Sequence, residues 1–132
     1  MITEDYVSFE VAKLLKEKGF DGLCCSHEFT DYEGNFTTYH TEYPENWNQS
    51  EPCVSIPTLG MAMKWLREVH NIGIFPSTYT ITNSKGSKEE HVYGSAIVNL
   101  ITFDLMCDDI MPRNSYEEAC EASIKYSLEN LI

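Results

Sequence analysis

Cys24, Cys25, His27, His40 and Cys53 are the residues of this chain whose types and spacing come nearest to chemistry. Glu33-Gly34-Asn35, flanked by Phe29, Tyr32, Phe36 and Tyr39, reads as the turn of a β-hairpin. A turn centred between Glu33 and Gly34 sets His27 opposite His40, on the side that carries Cys25. Cβ atoms paired in that way lie roughly 4.5–5.5 Å apart. Two imidazoles and a thiolate at that separation supply three of the ligands that zinc takes. Register decides the matter, because a three-residue turn puts His27 opposite Thr41 and destroys the geometry. No Cys-x-x-Cys accompanies the group, and two partly exposed strand histidines are the plainer account.

Other chemistry is less specified. A cysteine–histidine nucleophile would draw on Cys24, Cys25 or Cys53 with His27, His40, His70 or His91, but nothing local selects one pair. No cysteine directly precedes a helix start that would lower its pKa. Asp104, Asp108 and Asp109 could gather a divalent cation, although the EF-hand pattern is missing. Glu89-Glu90 near a turn and Glu117-Glu118 at a helix cap have structural explanations. GxGxxG, GxxxxGK[ST], GxSxG and HExxH are all missing from the sequence. Tyr43 and Trp47 sit among polar residues in Tyr43-Pro44-Glu45-Asn46-Trp47-Asn48, as aromatic residues of partner-binding loops do. Trp47 could equally fold back over one edge of the core.

Three helices must position these groups. One is expected from about Ser8 to Lys18, capped by Ser8, stopped by Gly19 and apolar at Val11, Ala12, Leu14 and Leu15. Another is expected from Thr58 to His70, closed by Asn71, with a stripe of Leu59, Ala62, Met63, Leu66 and Val69. Trp65 and Met61 widen that stripe, more as core than as a binding groove. Ser115-Tyr116-Glu117-Glu118 forms a capping box, with Ser115 and Glu118 each satisfying the other's amide. Behind it Tyr116, Ala119, Cys120, Ser123, Ile124, Leu128 and Leu131 make one face. Strands are expected within 23–42, over 72–82 with Pro76 at an edge or bulge, and from Val92 to Phe103. Ser84-Lys85-Gly86-Ser87 turns the chain between the last two. Residues 43–57 and 107–114 read as loops. The order is α-β-β-α-β-β-α, an α+β domain over 1–132 with helices packed mainly on one face of an antiparallel sheet.

Bulk composition narrows the function classes. A chain of 132 residues with 42% hydrophobic content suits one core and argues against wholesale disorder. Twenty-one acidic against nine basic residues give a net charge of -12, which disfavours direct nucleic-acid binding. The acidity either keeps the chain soluble or offers a face to a basic partner. No run approaches the roughly 18 apolar residues of a membrane span. The acidic start, Met1-Ile2-Thr3-Glu4-Asp5-Tyr6, does not resemble a signal peptide, and the five cysteines are odd in number. A cytoplasmic protein with reduced thiols is the expectation.

Three stretches carry a resemblance: Val7-Ser8-Phe9-Glu10-Val11-Ala12-Lys13-Leu14-Leu15-Lys16-Glu17-Lys18-Gly19-Phe20, Pro57-Thr58-Leu59-Gly60-Met61-Ala62-Met63-Lys64-Trp65-Leu66-Arg67-Glu68-Val69-His70-Asn71-Ile72, and Ser115-Tyr116-Glu117-Glu118-Ala119-Cys120-Glu121-Ala122. Their order and wording resemble a family of small uncharacterised proteins from gut Bacteroides and their phages and mobile elements. The resemblance implies a compact intracellular accessory protein and brings no catalytic residue. Segments 37–56 and 83–106 lie outside it. Two functions follow from the sequence: a non-catalytic binding protein that docks on a protein partner, or a small zinc-binding protein or hydrolase built on His27, His40 and Cys25.

Overall fold

Each helix starts on a side-chain oxygen that takes an otherwise orphaned amide. In the computed structural model, helix α1 spans Phe9–Glu17, and Ser8 Oγ accepts from the amide of Val11 at 3.2 Å. Gly19 then turns the chain with φ +91°, a value that favours glycine. Helix α2 spans Leu59–His70; Thr58 Oγ1 accepts from Met61 N at 3.1 Å, and Asn71 closes it at φ 57°. Helix α3 spans Tyr116–Asn130. Its capping box is offset from the expected one. Ser115 Oγ accepts from Glu118 N as expected, but the Glu118 carboxylate accepts from Asn114 N at 3.0 Å instead of from Ser115.

Residues 2–82, 86 and 89–132 are described by the structure, with only the backbone at 89 and 109–112. The expected turn at Ser84-Lys85-Gly86-Ser87 lies outside them, Gly86 excepted. Strands β1 (Cys24–Thr30), β2 (Phe36–Glu45) and β3 (Cys53–Ser55) form one antiparallel sheet in the order β2-β1-β3. Strands β4 (Ile72–Thr82), β5 (Glu89–Asn99) and β6 (Leu105–Arg113) form a second, in the order β4-β5-β6. The fold is α+β, and its order is α-β-β-β-α-β-β-β-α. Pro76 sits in β4, an edge strand, where its missing donor costs no ladder bond.

Two strands occupy stretches that read as loops, and a second sheet replaces the single one. Strand β3 has only three residues, with Pro52 before it and Pro57 shortly after, so no alternation could show. It is pinned from outside its own sequence. The Lys16 ammonium of α1 donates to the carbonyls of Ser50, Glu51 and Cys53 at 3.0, 3.1 and 2.6 Å. Strand β6 contains Asp108, Asp109 and Pro112, which only an edge position tolerates. Strand β5 ends at Asn99, earlier than Phe103, because the chain turns there.

The core joins all three helices to Ile72, Ile74 and Ile97 of the second sheet and to Cys24 of the first. Val11, Ala12 and Leu15 of α1, and Leu59, Ala62, Trp65 and Leu66 of α2, are buried. Val69 falls on the α2 stripe by spacing yet is 55% exposed. Trp65 fills the interior at that end instead, with its ring edge-on to Phe20 and His70. Helix α3 buries Ser123 and Ser127 beside Ile124 and Leu128. Their hydroxyls donate to the carbonyls of Ala119 and Ser123, each at 2.8 Å, so neither is left unpaired. Tyr116, expected on that buried face, is exposed. Among the described residues, no helix is long and apolar enough to cross a membrane.

Candidate functional site

The hairpin register differs from the expected one. Asp31 Oδ1 accepts from the amides of Glu33 and Asn35, both at 2.9 Å, and Asp31 N donates to Asn35 O at 2.8 Å. Gly34 takes φ +86°. These bonds close a three-residue loop, Tyr32-Glu33-Gly34, centred on Glu33. His27 therefore pairs with Tyr39, and His40 pairs with Ser26. Adjacent strand residues point to opposite faces, so the two imidazoles are separated by the sheet. Among the described residues, no group of three or more His, Cys, Asp or Glu side chains is placed to hold a metal ion. Asp109, one of the three aspartates considered for a divalent cation, has its side chain outside the described part.

On one face, Ser26 Oγ and His40 Nδ1 are hydrogen-bonded at 2.7 Å, and Thr38 Oγ1 donates to Glu28 Oε1 at 2.5 Å. The His40 ring meets Tyr6 edge-on. On the other face, His27 lies between two aromatic rings, 3.8 Å from Trp47 and 5.5 Å from Tyr39 by centroids. Trp47 also donates from Nε1 to the Cys24 carbonyl at 2.8 Å. Of the two roles open to Trp47, the structure places it in the inward one, packed against the core. Tyr43 is 74% exposed.

Burial sets the acid–base behaviour of this region. It lowers the pKa of His27 below 6.5, with Glu28 and Glu45 pulling weakly the other way. Above pH 6.5 the imidazole is neutral folded and unfolded, so it adds no slope. Below that, the unfolded chain takes up a proton that the folded chain resists, and stability falls as pH drops. Urea unfolding of wild type and His27→Phe between pH 7.5 and 5.5 checks this. A wild-type slope matching that of the variant would refute it.

Two of the five cysteines are held as thiols by burial. Burial pushes the thiols of Cys24 and Cys120 up to about 11. Cys53 is buried as well, whereas Cys25 and Cys107 are half-buried. Iodoacetamide at neutral pH should therefore label Cys25 and Cys107 in the native protein and reach the other three only after unfolding. Peptide mass mapping reads the pattern, and early labelling of Cys24 or Cys120 would contradict it.

The more suggestive surface lies on the second sheet. Ile72, Ile74 and Ile97 turn toward the helices, so the alternate residues Gly73, Phe75 and Val98 turn away. Leu105 pairs with Val98 just past a break in the β5–β6 register. Phe75 and Leu100 close over Gly73, where an added Cβ would come within 2.9 and 2.8 Å of them. Phe75 is 52% exposed and Leu105 58%.

The turn joining β5 to β6 extends this apolar end. Asn99 Oδ1 accepts from Ile101 N and Thr102 N at 2.9 and 3.1 Å, and the Asn99 carbonyl accepts from Phe103 N at 2.7 Å. Asn99 N donates to Asp104 O at 2.9 Å. Phe103 is held at φ 62°, a left-handed conformation that is unusual for a bulky side chain, and it is 77% exposed. Ile101 beside it is 69% exposed. The site is hidden in the sequence because Val92 to Phe103 reads as one apolar strand. The signal available was Asn99, a residue whose side chain makes turns.

No family model, no curated protein and no solved structure matches the chain.

Proposed function

We propose that this chain is a non-catalytic accessory protein that works in the cytoplasm by docking on another protein through the β5–β6 end of its second sheet. The resemblance of its helices to small proteins of gut Bacteroides, their phages and mobile elements agrees with such a role. One observation carries the reading: Phe103 keeps a backbone conformation that costs about 1–2 kcal/mol for a residue with a Cβ, while the residue stays 77% exposed and so recovers little by burial. Strain retained at an exposed aromatic residue is explained when a partner uses the ring. Ile101, Leu105 and Phe75 are further exposed apolar side chains of the same sheet and its β5–β6 turn, of the kind that the centres of protein interfaces use.

Immobilised wild type and an Ile101→Ser/Phe103→Ser variant, exposed to the same bacterial lysate, test the reading. A protein retained stoichiometrically by wild type and lost by the folded variant is the expected result. Identical sets of retained proteins would overturn it. Light scattering that shows wild type, but not the variant, forming dimers would also overturn it, since the face would then be covered by a second copy.

A further inference from the structure

A second surface carries an independent inference, because none of its residues belongs to the β5–β6 end. Two adjoining hollows, of about 450 and 410 Å³, share Asp5, Leu59 and Glu117. They lie where the segment before α1 crosses the starts of α2 and α3. Met61 and the half-buried Met63 give the groove an apolar floor, with the buried Leu59 beneath it. Met61 is 37% exposed, and a thioether there adapts to whatever it meets.

The rim is negatively charged, because its carboxylates outnumber the lysines in the walls. Glu4, Asp5 and Glu117 line the groove, and none of their carboxylates makes a hydrogen bond or ion pair with the described residues. Each of the two lysines in the walls also has another carboxylate within reach. The Lys125 ammonium is 2.9 Å from Glu10, and that of Lys64 is 3.9 Å from Glu68 in the next turn of α2. The positive end of α2 does not change the sign either. The Leu59 amide donates to the Asp5 carbonyl at 2.9 Å, and Thr58 takes the amides of Met61 and Ala62. Anions are therefore unwelcome, and the complementary occupant is cationic with an apolar stripe.

We infer that this groove binds a basic amphipathic peptide segment of another protein. Its leucine- or methionine-type side chains rest on Met61 and Met63, and its lysines or arginines face Glu4, Asp5 and Glu117. A helix laid in a groove by its apolar face is a recurrent mode of recognition, and the rim charges select the partner's sign.

The probe is a fluorescein-labelled amphipathic leucine–lysine helix, titrated against the full chain by fluorescence polarisation. A peptide of the same composition with strictly alternating leucine and lysine serves as comparison. The amphipathic helix should bind, and an Asp5→Asn/Glu117→Gln variant should weaken it about tenfold. Glu33→Gln/Glu42→Gln removes the same charge at the hairpin and should leave the affinity within about twofold. Gly60→Leu supplies a second readout. A Cβ at Gly60 meets no atom within 4 Å, so the helix keeps its fold while the new side chain fills the groove and lowers affinity. No binding of the helix, equal binding of the alternating peptide, or equal weakening by the hairpin variant would each overturn the inference. None of these outcomes bears on Phe103, whose variants should bind the probe like wild type.

Discussion

Replacing Trp47 with alanine should lower stability by about 3 kcal/mol, while phenylalanine should cost only about 1–2 kcal/mol. Both figures follow from the indole's neighbours. Its face lies 3.8 Å from the His27 ring, and Nε1 donates to the Cys24 carbonyl at 2.8 Å. Alanine removes the stack and the packing against the core and leaves His27 facing a void. Phenylalanine keeps a ring against His27 but leaves the Cys24 carbonyl without its donor. Trp47 is only half-buried, which is why the alanine cost sits at the lower end of the range for tryptophan. Urea unfolding of the three proteins measures both differences. A loss below about 1 kcal/mol for alanine would mean that Trp47 belongs to a partner surface after all.

Phe103→Gly should act in opposite directions on stability and on partner binding. Glycine takes φ 62° without a Cβ penalty, so the turn relaxes, and stability should rise by about 1 kcal/mol. Little is lost in exchange, because the ring is 77% exposed. Docking should fall by about thirtyfold, near the 2 kcal/mol that marks an interface hot spot. Thermal unfolding and a binding titration with the partner recovered by wild type give the two numbers. A stabilised variant that still binds at full strength would leave the aromatic ring without a role. A destabilised one would show that the ring packs usefully within the chain.

The helices were legible because their signals are local. Ser8, Thr58 and Ser115 each sit directly before an apolar-periodic run, and a cap needs only the residues within one turn of it. Even so, Glu118 takes the amide of Asn114, a choice that depends on how the chain enters α3. The hairpin was legible as a hairpin, but its register was not. Asp31, outside the three residues read as the turn, binds two amides and moves the centre to Glu33. That single step separates His27 from His40 and replaces a ligand pair with a Ser26–His40 hydrogen bond and a His27–Trp47 stack. The short strand β3 and the charged strand β6 escaped notice because their pairing partners, not their own residues, make them strands.

By itself, then, the order of residues determined the three amphipathic helices, the α+β class and the negative charge, and it confined Pro76 to an edge or a bulge. Each depends on interactions within a few residues or on a sum over the chain. Only the tertiary structure decided which polar groups meet, that Trp47 packs against the core, and that Phe103 and Met61 stay exposed. Those outcomes depend on contacts between segments far apart in sequence, where one residue of register or one side-chain hydrogen bond redirects a whole face.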